Sequence, residues 1–304
     1  MKEATAFAPG HITGAFQIFD GSADTLKVGS RGFGVSLNLG VSTSVKVEKD
    51  SENSLKVKIN NHASGSARVS RHVVDTFLAR FGEMKNLEIS VEHCIKTPIG
   101  AGFGTSGAAA LSLALALNEA TGLGMSKIEA AQLAHVAEVE CKTGLGTVIA
   151  ETFGGLEIRV KPGAPGIGQI RRLPVPESTA IACLVFGPLS TRKFLTDRET
   201  RTRINKFGGK LIDALAEAPN MSNFMRLSRE FAEHVGLITE KVRCVLNAAD
   251  EAGVICSMPM FGESVFTLTE DKNLQQIQEV FREHGSNGQI IVCKVDHEGA
   301  RLLQ

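Results

Sequence analysis

Hydrophobic and polar positions alternate with a period of two in three early segments, residues 41–47, 55–59 and 87–91. Successive side chains of a strand point to opposite faces, so each segment reads as a strand with one buried face. Stretches of Asp, Ser, Asn and Gly separate them, which predicts turns and an antiparallel sheet. The pattern changes at Ser106. From there to Asn118 the sequence SGAAALSLALALN is rich in Ala and Leu on every side, the mark of a helix enclosed by protein, and it is too short to span a bilayer. A second helix is predicted from Ser126, because Ser126 and Glu129 stand at capping-box spacing ahead of an Ala-rich run that ends near Gly144. Leu156, Ile158 and Val160 mark a further strand. The stretch KPGAPGIG at 161–168 then interrupts the pattern and is the best candidate for a boundary between two lobes, 1–165 and 166–304. A buried strand over 179–186, helices near 200–216, 222–235, 239–251 and 274–284, and a strand over 290–295 complete the reading. Strands and helices mix without regular βα alternation, so the class is α+β rather than parallel α/β.

At 304 residues the chain exceeds the usual size of one core, in keeping with two packed lobes. Lys+Arg 33 against Asp+Glu 33 leaves no net charge to draw nucleic acid or an anionic membrane, which favours a small-molecule partner. The amino-terminal residues have no apolar core of signal-peptide length, so a cytoplasmic protein is expected. Six cysteines are spread singly, without zinc-site spacing, and read as small buried hydrophobes.

The chemistry concentrates in TPIGAGFGTSGAAAL, where Gly100, Gly102, Gly104 and Gly107 lie between a predicted strand and the enclosed helix. Glycines let backbone amides approach phosphate oxygens, and the helix start adds unpaired donors and the positive end of its dipole. An anion site is expected, the bland alternative being a tight turn. Gly102, Gly104 and Gly107 satisfy G-x-G-x-x-G, yet the second strand that a dinucleotide fold needs is replaced by helix at 126–142. Gly102 and Gly107 have Walker A spacing, but Ala108 and Ala109 stand where Lys and Ser/Thr are required.

The run Pro98, Ile99, Gly100, Ala101, Gly102, Phe103, Gly104, Thr105, Ser106, Gly107, Ala108 resembles the GHMP kinase pattern P-x-G-x-G-L-G-S-S-A-A, with Phe103 for Leu, Thr105 for Ser and Gly107 for Ala. AFAPGHITGAFQ (6–17) looks like the superfamily's amino-terminal acceptor motif, and MPMFGESVFTL (258–268) like a reduced carboxy-terminal glycine motif. With GSRGFGVSLNLG, AQLAHVAEVECKTGLG, GGLEIRVKPGAPGIG and GPLSTRKFL, the chain is similar over nearly its whole length to the pantoate kinase family within the GHMP superfamily. The resemblance implies a ribosomal-protein-like amino-terminal lobe, a ferredoxin-like carboxy-terminal lobe and a homodimer. It implies ATP and magnesium, with transfer of the γ-phosphate to the hydroxyl of pantoate. Homoserine, shikimate or mevalonate-type acceptors, and a ligand-binding homologue without turnover, stay open beside it.

On the second predicted helix, at about 100° per residue, Glu129 and Glu140 fall on one side while Glu138 falls among Ala131, Ala134 and Cys141. An acid in an apolar stripe needs a partner or a metal. By family position Ser106 and Glu138 would hold magnesium, the alternative for Glu138 being a buried arginine or His135 as partner. His135 is read as a core histidine. Where the family has an aspartate beside the acceptor hydroxyl, this chain has Thr147, which cannot take up a proton at neutral pH. Acceptor contacts are expected from His11, Thr13, Gly14, Arg31 and Arg192.

Overall fold

The computed structural model describes residues 2–81, 85–189 and 198–303. Two long strands organise it. Strand β1 (Lys2–Phe19) pairs antiparallel along its whole length with β2 (Gly29–Lys49). Register shifts at Pro9/Gly10 and Thr13/Ala15 bend β1, and each shift changes which face a side chain meets. Ala6 and Ala8 therefore enter one hydrophobic core, with Val41, Val45, Phe77, Leu111 and Ala134. Ile12, Ala15 and Phe16 enter another, with Phe33, Ile181, Phe224, Phe231 and Phe266.

The first sheet grows from this pair. Strands β3 (Ser54–Ile59), β4 (His62–Ala63) and β5 (Leu87–Ile95) lie beyond β2, in the order β2-β5-β3-β4. The near half of β2 carries β6 (Leu156–Lys161), which pairs with β7 (Gln169–Leu173), so the Gly/Pro stretch at 161–168 connects two neighbouring strands of this sheet. A short last strand, β11 (Arg301–Leu303), closes the other edge against β1. The sheet is mixed rather than wholly antiparallel, because β3 runs parallel to β5. That pairing requires a crossover, and α1 (Arg68–Arg80) supplies it. The sequence pattern did not reveal α1, whose buried face is only Ser70, Val73, Val74 and Phe77.

Helix α2 (Thr105–Thr121) is enclosed as its all-round apolar sequence predicts, with Leu111, Leu113, Ala114, Ala116 and Leu117 buried. It packs on β1, β2 and α3 (Lys127–Cys141). Ser126 and Glu129 form the predicted capping box at the start of α3. The TGLG string then leads into α4 (Thr147–Phe153), a seven-residue helix too short to show a period in the sequence.

The second sheet is antiparallel, β10 (Gln289–Lys294), β8 (Thr179–Pro188) and β9 (Gly262–Glu270) in that order. Helices α6 (Met221–Val235), α7 (Glu240–Glu251) and α8 (Leu274–His284) pack on it, whereas α5 (Arg198–Glu217) packs on β1 and β2 of the first sheet and on α6; all four lie close to their expected bounds. The class is α+β. Cys141, Cys183, Cys256 and Cys293 are buried as expected, whereas Cys94 and Cys244 are exposed. Among the described residues no helix is long and apolar enough to cross a membrane.

Since α2 is walled in on all sides, a void beneath it cannot fill cheaply. Leu111→Ala should lower stability by about 2–5 kcal/mol, read as an earlier midpoint in urea; a loss below about 1 kcal/mol would mean that the helix is not enclosed.

Candidate active site

The loop between β5 and α2 is shaped by its glycines. Gly100, Gly102 and Gly104 have φ of +76°, +87° and +64°, a region that side chains with a Cβ avoid. Ala101 and Phe103 between them are buried and anchor the loop, while Ile99 stands 60% exposed. Thr105 Oγ1 lies 3.0 Å from Thr97 Oγ1 and donates to the Pro98 carbonyl at 3.4 Å, which ties the loop's two ends together. Gly104 is the N-cap of α2 and offers no side chain to its amides. The first turn of a helix has no intrahelical acceptors for its N–H groups, so these donors remain for a ligand.

The three segments singled out in the sequence meet at this loop. The His11 amide donates to the Phe103 carbonyl at 2.9 Å, and the Met260 amide donates to the Thr13 carbonyl at 3.2 Å. Ser264 Oγ donates to the Ala101 carbonyl at 3.2 Å. Gly262 presses so closely on the loop that a Cβ there would run into the Ala101 carbonyl.

Ser106, in the first turn of α2, donates to Glu138 Oε2 at 3.1 Å, and Thr143 donates to Glu138 Oε1 at 2.6 Å. The sequence-predicted pair is thus in contact, and the partners of Glu138 are hydroxyls rather than an arginine or His135. Glu138 is 2% exposed, and burial pushes its carboxyl up to about 7 against the pull of the two hydroxyls. Thr147 opens α4 beside it: a Cβ on Gly144 would touch both the Glu138 carboxyl and, at 3.4 Å, Thr147 Oγ1. His135 lies 3.0 Å from the Val28 carbonyl through Nε2, a satisfied core histidine, and Glu140 pairs with His72 at the surface.

The expected acceptor residues fare differently. His11 is buried, with Nε2 3.2 Å from Glu157 and Nδ1 3.3 Å from Thr13 Oγ1; burial lowers its pKa despite Glu157, leaving a neutral ring. Thr13 is half-buried. Gly14 is a packing position, its α-carbon set against the Phe33 ring and Ser228 of α6. Arg31 is bonded to Asp213 at 2.5 Å and to Gln17 at 3.4 Å, not to the loop. Arg192 lies outside the described residues.

Three charged residues escaped the sequence reading. Glu157 and Arg159 alternate with Leu156 and Ile158 on β6, which made them look like a solvent face. Both faces of β6 are buried, and Arg159 donates to Glu157 at 2.5 Å with His11 alongside. Glu151 of α4 is also buried, and its signal was a lone acid in an apolar string, IAETF.

The model of the GHMP kinases N terminal domain matches residues 68–155, the span that holds the loop, Ser106, Glu138 and Thr147. A pantoate kinase of Methanocaldococcus jannaschii is 32% identical over 95% of this chain and 99% of its own. The chain belongs to the pantoate kinase family of GHMP kinases. A second member of that family, from Thermococcus kodakarensis, is 34% identical over 91% of each chain. A solved phosphotransferase related to the CoA biosynthesis pathway superposes with a TM-score of 0.89 at 30% identity, covering 99% of this chain and 98% of its own. A homoserine kinase of Cytophaga hutchinsonii, at 18% identity and a TM-score of 0.71 over 100% of this chain and 98% of its own, shares the fold.

Because the folded protein favours the protonated Glu138 carboxyl and the unfolded chain does not, stability should fall as pH rises from the ordinary carboxyl value of 4.5 to about 7. Glu138→Gln removes this dependence. The variant should gain on the unmodified protein by up to about 3 kcal/mol between roughly pH 5 and pH 8 in urea melts without nucleotide, and a difference that stays flat with pH would contradict a buried, uncharged carboxyl.

Proposed function

We propose that this kinase transfers the γ-phosphate of ATP to the primary hydroxyl of pantoate, giving 4-phosphopantoate and ADP. The observation that carries the proposal is the coincidence of two facts: about a third of residues identical to two pantoate kinases over nine-tenths of the chain, and a Ser106–Glu138 pair at the mouth of an uncapped glycine loop.

In this reading Pro98 shapes the loop, and the amides of Gly100, Ala101, Gly102, Phe103, Gly104, Thr105, Ser106 and Gly107 cradle the triphosphate. Ser106 and Glu138 would hold magnesium. Their donor set fits, being two hard oxygens with no cluster of three or more metal-binding side chains among the described residues. Magnesium is commonly held by one or two protein oxygens, with water and substrate phosphates completing its shell. When bound it neutralises charge on the transferring phosphate. The chain's own residues orient the reactants: the loop fixes the phosphates, the packed Gly262 segment shuts out water, and Thr147 directs the acceptor hydroxyl. Thr13 and His11 line the amino-terminal side, and Arg31 with Arg192 stay as proposed partners for the acceptor carboxylate. A homodimer, which rests on the resemblance, and a cytoplasmic location belong to the same proposal.

A binding homologue without turnover is the second reading, favoured only by threonine at 147. A panel of pantoate, homoserine, shikimate and mevalonate with ATP and magnesium separates these. ADP release with pantoate alone is expected, and release with another acceptor but not pantoate would reject the assignment. Pantoate binding without ADP release, reversed by Thr147→Asp, would favour the second reading. Ser106→Ala and Glu138→Gln should each lower kcat at least about 100-fold, with the fold intact by circular dichroism.

A further inference from the structure

Among the described residues Glu151 is the one buried carboxyl without a hydrogen-bond partner, and the reading above gives it no work. It lies on α4, one helical turn beyond Thr147, is 0% exposed, and neither carboxyl oxygen has a hydrogen-bond partner. A buried polar group left this way is costly, and in a native protein it calls for an explanation. Both oxygens are aimed at the start of α2. Oε1 lies 2.6 Å from where a Cβ on Gly104 would stand, and Oε2 lies 2.7 Å from where a Cβ on Gly107 would stand. Thr147 Oγ1 comes within 2.8 Å of that second point. Thr147 is half-buried and Glu151 fully so, and on its other side the hydroxyl faces the Gly144 and Glu138 carboxyl region. The hydroxyl therefore stands between the Ser106–Glu138 pair and the deeper acid. Gly107 departs from the alanine of the motif, and the reason is now physical: a methyl there would collide with both side chains.

Resting on the kinase reading, we propose that Glu151 is the proton acceptor of this chain's phosphoryl transfer, working through the Thr147 hydroxyl across the gap that Gly107 leaves open. As the acceptor oxygen bonds to the γ-phosphorus, its proton passes to Thr147 Oγ1 and the threonine's own proton passes to the Glu151 carboxylate. The bond from the γ-phosphorus to the bridging oxygen breaks, and ADP leaves with that electron pair. Glu151 later releases its proton to solvent. Threonine alone has nowhere to store a proton, whereas a carboxylate does. Burial and the Glu138 and Glu157 charges raise the Glu151 pKa well above the usual carboxylate range, while Arg159 pulls the other way. The neutral His11, whose Cβ and amide lie 3.2 Å from the Gly104 point, adds no charge.

Glu151→Gln keeps the shape and cannot take a proton. Its kcat should fall about 100-fold or more with KM for ATP changed less than about twofold, and the acid-side rise of kcat with pH should vanish. Glu151→Asp should keep that rise. Thr147→Val, at a half-buried position, should lose kcat in the same way and carries the test should the Glu151 variant not fold. Wild-type kcat in either variant overturns the proposal, as does a slower Glu151→Gln enzyme whose pH limb is intact, the result that lost packing would give. All assays use the acceptor that the panel identifies. An unmodified chain inactive on pantoate thus bears on the substrate, and an active Glu151→Gln chain bears on Glu151.

Discussion

The first amides of α2 cannot bond within their own helix, and no side chain caps them. The rest of the site follows from keeping those donors open and still. Gly100, Gly102 and Gly104 take positive φ so that the backbone can curl round the helix start. The apolar enclosure of α2 holds that start against movement, since a helix buried on every face has no direction in which to slide. Hydrogen bonds from His11 and Ser264 then fix the loop from two sides, with the Met260 amide joining those flanking segments to each other through Thr13. A phosphate arriving there would meet donors already oriented, so little ordering is left to oppose binding.

The same enclosure sets the electrostatics. Glu138, Glu151, Glu157, Arg159 and His11 are buried on α3, α4, β6 and β1, close enough for their charges to be felt mutually. One ion pair, Arg159 with Glu157, is satisfied within the protein. Glu138 is satisfied by hydroxyls, and Glu151 by nothing. In a medium of low dielectric the Glu138 and Glu151 carboxyls are pushed toward their uncharged forms. Carboxyls raised in this way suit a pocket that must change charge when an anionic nucleotide enters.

Much of this was legible in the sequence. The spacing of glycines marked the loop, the all-round apolar run marked α2, and the single acid in the Ala131, Ala134, Cys141 stripe marked Glu138. These signals are local, and each breaks an otherwise regular pattern. What stayed hidden depends on partners distant in the chain. Glu157 and Arg159 keep a regular alternation, and only their contacts with His11, distant in the chain on β1, show that their face is turned inward. Glu151 sits on a helix of two turns, below the length at which periodicity shows. Gly107 read as a small departure from a motif until Glu151 was seen to occupy its missing methyl. The parallel pairing of β3 with β5 required knowing that α1 crosses between them.

The central claim is that the bend before α2 grips the triphosphate of a nucleotide through its main chain. Hydrogen exchange at the amides of residues 100–107, with and without a non-hydrolysable ATP analogue and magnesium, tests it directly. The account predicts slowed exchange confined to that bend, the first turn of α2 and the residues around Gly262. Unchanged exchange there under saturating analogue, with protection elsewhere, would contradict it.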